Sequence, residues 1–311
     1  MPATYGKAPF NYIGNKYKLL PQIMPLFKNT DSVVDLFCGG CDVISNISAS
    51  RRYANDINEF VIDICQYFQE HDINEIINRI DSIIKQWGLT QTNKEGYNKL
   101  RDYYNNGHSD DPMLLYALVC YGFNHQFRFN SKHEFNNPFG ANRSSFNDSM
   151  RHNLIAFKER IDGIAFSVND FRDFDTEIIY SGGFLYADPP YLITTGSYND
   201  GKRGFKGWEQ QDDADLFELL DNIDSNNGFF AMSNVLEHKG LSNDSLKKWT
   251  KDNGYYVNIM NFNYNNSSYH TKNRQYKTVE VLITNYKAGD VIYDGERIGF
   301  TRMDTRCCKT L

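Results

Sequence analysis

The sequence predicts an α/β fold in which a mainly parallel sheet with crossover helices is interrupted by a helical insert. Short apolar runs at 31–37, 182–187, 228–232 and 278–284 have the length and composition of buried strands. Segments between several of them repeat apolar residues at intervals of three and four, which is typical of helices. Strands that alternate with helices indicate a parallel sheet. The stretch 58–165 is helical or irregular, and we interpret it as an insert into the sheet domain.

The first predicted strand, DSVVDLF, is followed at once by Gly39 and Gly40, which is typical of a strand and a tight turn. A second short element, RRYANDI, contains Asp56, and 21 residues separate Asp35 from Asp56, about one βαβ unit. Such a glycine turn lets a ligand approach the backbone, and an acid after the second strand can bind ribose hydroxyl groups. The turn is not GxGxxG, and the chain has no GxxxxGK[ST] motif, which argues against a dinucleotide oxidoreductase and a nucleoside triphosphate site.

Four segments predict helices. INEFVIDICQYF (57–68) and INEIINRIDSIIKQW (73–87) carry apolar residues at helical spacing. LLYALVCYGF (114–123) is apolar on all sides, so we expect a buried helix, and DDADLFELLDNI (212–223) predicts a helix between two strands. Residues 124–150 lose all periodicity and are rich in Asn, His, Arg, Ser and Phe. They indicate a long polar loop, and loops of this length are usually functional or disordered.

The composition is that of a globular protein. The 311 residues are 41% apolar, and 33 Lys+Arg stand against 39 Asp+Glu for a net charge of −6. This acidic balance argues against a protein that coats nucleic acid by bulk charge, but it allows a local basic face. The start lacks the apolar core of a signal peptide and no run is long enough to cross a membrane, so we expect a cytoplasmic protein without membrane contact. Cys38 and Cys41 form a CxxC with no second pair at zinc-finger spacing, so we predict reduced thiols and no metal.

The tetrapeptide Asp188–Pro189–Pro190–Tyr191 directly follows the predicted strand GGFLYA. The two prolines stiffen the chain and remove two N–H donors. A carboxylate and a bare carbonyl, both hydrogen-bond acceptors, are left beside an aromatic ring. This set suits a planar aromatic substrate with an exocyclic amine, because Asp188 and the Pro189 carbonyl can each accept one amine hydrogen while Tyr191 stacks on the ring. The alternative reading is a Pro-rich turn with a capping aspartate.

The polar loop and its flanks, residues 125–160, form a locally basic region. Six basic residues stand against three acidic ones, and phenylalanines are interleaved with them. This combination suits phosphate contacts, base-edge contacts and wedging between bases, although a solvated loop anchored by phenylalanine would look similar. The basic residues are Arg128, Lys132, Arg143, Arg151, Lys158 and Arg160, and a second cluster comprises Lys202, Arg203 and Lys206.

Seven segments then occur in an order that matches a known family over roughly residues 8–286. They are FNYIGNK, VVDLFCGG, ANDIN, RFNSKHEFNNPFG, SVNDFRDF, DPPY and TVEVLITNY. Together they resemble the Dam-like, D12 class of site-specific DNA adenine N6-methyltransferases. The sequence departs from the family pattern at two positions of the glycine turn, where Leu36 replaces the usual proline and Cys41 replaces a second glycine. We expect the Cys41 side chain to be tolerated. The quantity that it could change is the affinity for the cofactor.

The resemblance implies a Rossmann-like seven-stranded methyltransferase sheet with a helical target-recognition insert. It assigns residues 1–57 and 166–311 to an S-adenosylmethionine-binding catalytic domain and 58–165 to a DNA-binding insert. Asp56 matches the acid that binds the cofactor ribose, and Asp170 and Phe171 match residues that contact its adenine. The implied catalytic residues are Asp188, Pro189, Pro190 and Tyr191. The implied cofactor-binding residues are Tyr12, Lys16, Asp35, Phe37, Gly39, Asp56, Asp170 and Phe171, and the implied DNA-binding residues are Arg128, Asn130, Asn136 and Arg143.

The implied reaction is methyl transfer from S-adenosylmethionine to N6 of an adenine that is flipped out of duplex DNA. No covalent enzyme intermediate and no metal are needed. We expect a monomer or a weak dimer that acts in a restriction-modification system beside a cognate restriction enzyme. Three alternatives stay open, which are methylation of cytosine N4, methylation of adenine in RNA, and a non-catalytic DNA-binding regulator.

Overall fold

A computed structural model describes residues 5–194, 207–260 and 278–288. The second predicted basic cluster, Lys202, Arg203 and Lys206, lies outside these ranges. Within them the chain has a mixed α/β fold with one central, mostly parallel sheet, as the sequence predicts.

Eight strands form the described sheet. They are β1 (Ser32–Asp35), β2 (Arg51–Asn55), β3 (Ile164–Ser167), β4 (Phe184–Ala187), β5 (Phe229–His238), β6 (Leu241–Ser242), β7 (Tyr256–Ile259) and β8 (Val279–Thr284). Seven of them lie in the order β3-β2-β1-β4-β5-β8-β7, and β6 is a two-residue strand that pairs with β5. The first five in this order are parallel, whereas β8 is antiparallel to both β5 and β7.

The strand order reverses beside β1, which pairs with β2 on one side and with β4 on the other. In open α/β sheets, ligands bind beyond the carboxyl ends of the strands at such a reversal. All four residues of β1 and of β4 are buried. Burial on both faces of the sheet explains why their sequences read as short continuous apolar runs rather than alternating ones.

Eight α-helices lie in the described ranges. They are α1 (Leu20–Ile23), α2 (Glu59–Glu70), α3 (Ile73–Trp87), α4 (Lys94–Asn105), α5 (Pro112–Tyr121), α6 (Asp148–Ile161), α7 (Gln210–Ser225) and α8 (Asp244–Asn253). Asp72 and Glu75 form a capping box at the start of α3, and Gly88 ends that helix in the left-handed region. Every residue of α5 except Pro112 is buried, as the all-apolar sequence of this helix predicts. None of the helices in the described ranges combines the length and apolar character that a bilayer crossing requires.

Five helices, α2 to α6, lie between β2 and β3 and occupy the stretch interpreted as an insert. They share one apolar core with the sheet, to which Phe68, Phe157 and Phe184 belong. The Gln69 side chain also donates hydrogen bonds to the carbonyls of Ile161 and Ile164, at 2.7 and 2.9 Å, where α6 leads into β3. The insert therefore packs directly onto the sheet. The division into a catalytic and a recognition domain stays an interpretation.

Candidate active site

Four aspartates lie at the carboxyl ends of the parallel strands. Asp35 ends β1, Asp56 follows β2, Asp170 comes three residues after β3, and Asp188 follows β4. Because parallel strands end at the same edge of a sheet, the topology brings these side chains to one crevice. All four were selected from the sequence, and the structure places them after strands of the same sheet, with Asp35, Asp56 and Asp188 close enough for their charges to interact.

Asp188 is held by two groups that are distant from each other in sequence. Lys16 Nζ lies 2.7 Å from its Oδ2, and the hydroxyl of Tyr191 donates to its Oδ1 at 2.9 Å. Lys16 also donates to the Gly14 carbonyl at 2.9 Å and lies 5.3 Å from the centre of the Tyr191 ring. The Lys16 side chain is only 6% exposed, and a buried ammonium needs such partners because desolvation is costly. The turn FNYIGNK is thus joined to the DPPY turn.

The DPPY turn has irregular backbone between β4 and residue 194. Pro189 is buried and Pro190 is exposed. Burial raises the pKa of the Tyr191 hydroxyl well above its usual value, and the charge of Asp188 raises it further. Tyr191 therefore stays protonated and can continue to donate to Asp188 over the ordinary pH range.

The glycine turn after β1 is held against β2 by its backbone. Gly39 has a φ of +47°, and its N–H donates to Asp56 Oδ2 at 2.8 Å. A Cβ at Gly39 would lie 2.8 Å from the Tyr12 ring, so only glycine fits beneath that ring. The predicted residues Tyr12, Gly39 and Asp56 therefore form one cluster.

Asn58 belongs to the same cluster, although the sequence did not single it out. Its backbone N–H donates to Asp56 Oδ1 at 2.9 Å, and its side-chain amide donates to the Tyr12 hydroxyl at 3.1 Å. Its side-chain oxygen is buried and accepts no hydrogen bond within the described residues. The segment ANDIN contains Asn58, but its contact with Tyr12 spans 46 residues and could not be read from the motif.

Asp35 is 1% exposed, and its Oδ1 has no hydrogen-bond partner within the described residues. Burial raises the pKa of this carboxyl well above its usual value, and the neighbouring Cys41 and Asp188 raise it further. An ionised Asp35 is therefore costly unless a positive group lies beside it. This environment suits a ligand that carries an ammonium group.

Cys41 is fully buried and has a φ of +60°, which is uncommon for a residue with a Cβ. Its sulfur lies 3.9 Å from that of Cys65 in α2. The side chain packs into the apolar core between the turn and α2, together with Cys65. This burial gives a physical reason for the expected tolerance of cysteine in the glycine turn.

Three aromatic rings, of Phe37, Phe171 and Trp208, meet near the ends of β1 and β3. Their centroids are 5.5 to 5.7 Å apart. Phe37 and Phe171 were predicted as cofactor residues, whereas Trp208 was not. The predicted residue Asp170 accepts from the guanidinium of Arg172 at 3.0 Å, and Arg172 also lies 4.4 Å from the centre of the Phe171 ring.

The predicted DNA-binding residues lie on the irregular segment between α5 and α6. Arg128 and Arg143 are exposed, and the Arg143 guanidinium lies 5.4 Å from the ring centre of the exposed Phe123. Asn130 shapes a tight turn, because its amide donates to Glu134 Oε2 at 2.7 Å while its oxygen accepts from backbone N–H groups of the turn. The Asn136 side-chain oxygen is buried and has no hydrogen-bond partner within the described residues.

This segment contacts the N-terminal turn directly. The Phe10 ring packs edge-on against Phe127 at 5.3 Å, and Tyr12 lies 5.9 Å from Phe127. The Asn11 backbone N–H donates to the His125 carbonyl at 3.3 Å. The same seven residues, FNYIGNK, therefore contact the DPPY turn, the glycine turn and the segment predicted to bind DNA.

Comparison with known protein families identifies the family of this chain. The family model described as D12 class N6 adenine-specific DNA methyltransferase matches residues 12–288. The chain belongs to this family. The match covers every motif on which the resemblance rested except the first two residues of FNYIGNK.

Individual relatives agree with the family assignment. The chain is 44% identical over 286 residues to modification methylase StsI of Streptococcus sanguinis and 43% identical over 286 residues to type II methyltransferase M.FokI of Planomicrobium okeanokoites. Both matches cover 91% of this chain but 43% of the relative, so the chain spans less than half the length of these two proteins. The DNA adenine methylase of Escherichia coli (strain K12) is 25% identical over 225 residues, which is 70% of this chain and 76% of that protein.

Proposed function

We propose that the chain transfers a methyl group from S-adenosylmethionine to N6 of an adenine in duplex DNA. The observation that carries this proposal is the position of Asp188, at the carboxyl end of β4 beside the glycine turn of β1, in a chain of the D12 family. The names of the relatives, modification methylase and DNA adenine methylase, support the same activity.

The residues at the crevice fit S-adenosylmethionine by their chemistry. Asp35 has an unpartnered buried oxygen that suits the ammonium group of the methionine moiety, and the bound charge would offset the cost of ionising it. Asp56 lies at the end of the second strand, where an acid suits ribose hydroxyl groups. The partly exposed Phe37 supplies apolar surface for an adenine ring, and the buried Phe171 packs against it. When bound, the cofactor would supply an electrophilic methyl group.

The DPPY turn supplies the acceptors for the substrate amine. Asp188 and the Pro189 carbonyl would each accept one hydrogen of the adenine amine, which directs the nitrogen lone pair away from the ring. Tyr191 would stack on the base once it has left the helix. The amine would compete with the Tyr191 hydroxyl for Oδ1, while Lys16 orients Asp188 through Oδ2. Pro190 holds the turn rigid, so catalysis rests on positioning and electrostatics.

The insert is proposed to bind the DNA. Arg128 and Arg143 are exposed cations on the segment between α5 and α6, and the exposed Phe123 ring beside Arg143 offers an apolar surface to bases. Asn136 is proposed to make a polar contact with the DNA. Asn130 is proposed to present its turn to the DNA and to contact the DNA itself. We further propose that the chain acts in the cytoplasm as a monomer or a weak dimer. We also propose a role in a restriction-modification system with a restriction enzyme for the same site, since relatives are modification methylases.

The direct test is to incubate the full chain with mixed-sequence duplex DNA and S-adenosylmethionine that carries a labelled methyl group. The DNA is then digested and its nucleosides are separated by mass. Label in N6-methyldeoxyadenosine is expected, and sequencing of the methylated DNA would reveal the target site. Label in N4-methyldeoxycytidine would show that cytosine is the substrate. Label in RNA but not in DNA would show that RNA is the substrate. DNA binding without any label would favour a non-catalytic regulator.

A further inference from the structure

Trp208 lies two residues before α7, beyond the motifs that point to the cofactor, yet it contacts two aromatic residues predicted to bind the cofactor, Phe37 and Phe171. Its ring centroid is 5.7 Å from that of Phe37 and 5.5 Å from that of Phe171. Phe37 and Trp208 are both partly exposed, whereas Phe171 is buried beside them. The two partly exposed rings therefore reach the surface near the ends of β1 and β3, and the buried Phe171 packs against both.

The geometry of the two exposed rings suits a planar aromatic ligand. The Phe37 and Trp208 planes meet at 76°, so the two rings form a corner. A flat heterocycle in that corner stacks on one ring and meets the other edge-on, and both are favourable arrangements for aromatic pairs. An adenine ring has the size and flatness that such a corner accepts.

The indole is held in place by a buried carboxylate. Trp208 Nε1 donates to Asp213 Oδ1 at 2.7 Å, and Asp213 is 1% exposed in the first turn of α7. The N-terminal part of α7 also holds Arg172, through Asp212 and Asp215 at 2.5 and 2.6 Å. Both anchors belong to one helix, so the Trp208 ring and the turn at Asp170 are fixed relative to each other.

We propose that Trp208 forms a wall of the adenine pocket of S-adenosylmethionine and binds the cofactor by aromatic contact. This inference rests on the proposed function, because it assumes that the same crevice binds this cofactor. The indole bond to Asp213 fixes the orientation of the ring before the cofactor arrives. Preorganisation of this kind lowers the entropy cost of binding.

The test uses the fluorescence of the protein itself. The chain has three tryptophans, Trp87, Trp208 and Trp249. Trp87 lies in the insert, and Trp249 lies in α8, where it stacks on Phe217 at 4.3 Å in the core. The double variant Trp87→Phe/Trp249→Phe of the full chain leaves Trp208 as the only emitting tryptophan. Titration with S-adenosylhomocysteine is expected to quench or shift this emission in a saturable way, and unchanged emission at saturation would overturn the proposal.

Calorimetry gives a second, independent readout. Trp208→Ala is expected to weaken S-adenosylhomocysteine binding by about three- to tenfold, which is the value of one aromatic contact. Trp208→Phe, which keeps a ring, should recover most of the affinity. Trp249→Phe serves as the control for tryptophan removal and should bind as the wild type does. Circular dichroism verifies that each variant is folded.

The outcomes separate this inference from the proposed function. If the wild-type chain binds neither S-adenosylmethionine nor S-adenosylhomocysteine, the proposed function and the inference both fail. If the wild type binds and a folded Trp208→Ala binds equally well, the inference alone is wrong. Weaker binding by Trp208→Ala with recovery in Trp208→Phe would support the proposal that Trp208 forms a wall of the adenine pocket.

Discussion

Lys16 Nζ lies 2.7 Å from Oδ2 of Asp188, and this ion pair joins the N-terminal turn to the DPPY turn across 172 residues of sequence. Both side chains are largely buried, at 6% and 17% exposure. A buried charge pair of this kind contributes most to orientation, because desolvation offsets much of its attraction. In the proposed reaction Lys16 would therefore act through Asp188, as a positioning residue for the substrate amine.

The first prediction concerns Lys16. Lys16→Met keeps the length of the side chain but removes the charge, so Asp188 loses its partner on Oδ2. We expect the methyl-transfer rate to fall by about a hundredfold, the cost of misplacing a catalytic group. Single-turnover methylation of DNA measures this rate. Lys18→Met, two residues away at an exposed position, is the matched control and should methylate normally; a Lys16→Met rate equal to that control would contradict the positioning role.

The second prediction concerns Asp56, whose oxygens accept the N–H groups of Gly39 and Asn58. Asp56→Ala removes the proposed ribose contact and also leaves the glycine turn unsupported. We expect binding of S-adenosylhomocysteine to weaken by about ten- to hundredfold, the usual cost of losing hydrogen bonds to a charged group. Calorimetry measures the affinity, with the exposed Asp63→Ala in α2 as control. Unchanged affinity would exclude the ribose role.

The third prediction concerns DNA binding. Arg128→Ala/Arg143→Ala is expected to weaken binding to duplex DNA and to lower the slope of log affinity against log salt by about 0.9 for each phosphate that is no longer neutralised. Fluorescence anisotropy at several salt concentrations measures both quantities. The charge-matched control is Lys248→Ala/Lys251→Ala, which removes two exposed cations from α8. If both double variants show the same slope, the insert does not bind DNA through these arginines.

The fourth prediction concerns the pH dependence of stability. Burial raises the pKa of Asp42 to about 6, although the Ala8 N–H that donates to its carboxylate at 3.0 Å opposes the shift. A raised folded-state pKa means that the folded protein holds a proton that the unfolded chain has released, so this contribution to stability is present at low pH and lost as pH rises through about 6.

The asparagine of Asp42→Asn is neutral at both pH values, and its side-chain oxygen can still accept the Ala8 N–H. Between about pH 5 and pH 8, the free energy of unfolding of the wild type should therefore fall by about 1 kcal/mol relative to that of Asp42→Asn. Urea unfolding at the two pH values measures the difference. The exposed Asp173→Asn is the control. A difference between wild type and Asp42→Asn that is the same at both pH values would contradict the raised pKa.

The sequence predicted the centre of the sheet well and its remaining elements less well. The strands β1 and β4 are buried on both faces and follow directly from their apolar runs. Helix α4 was missed because it buries only Gly96, Tyr97, Leu100 and Tyr104 among polar residues. The strand β7 was missed because YVNI is short and only Val257 in it is buried, so pairing with β8 rather than its own pattern keeps it in the sheet.

The site was predictable where its residues lie within motifs and not where contacts cross the chain. Asp56 and Asp188 follow strands and could be placed at one edge from the topology alone. Asn58 contacts Tyr12, and Trp208 contacts Phe37 and Asp213, and only the folded structure shows those neighbours. The segment after FNYIGNK forms only a four-residue α-helix between short 3₁₀ segments, because Pro21 and Pro25 limit the backbone bonds there.

The most direct test of the proposed activity is the single-turnover rate of methyl transfer by Asp188→Asn, measured beside its calorimetric affinity for S-adenosylhomocysteine. This substitution keeps the shape of the side chain but removes the charge that pairs with Lys16 and that is proposed to accept a hydrogen of the adenine amine. The methyl-transfer rate should fall by about 10²- to 10³-fold, as on removal of one group that stabilises a transition state electrostatically, while cofactor affinity stays close to that of the wild type. A folded Asp188→Asn that methylates adenine at the wild-type rate would contradict the assignment.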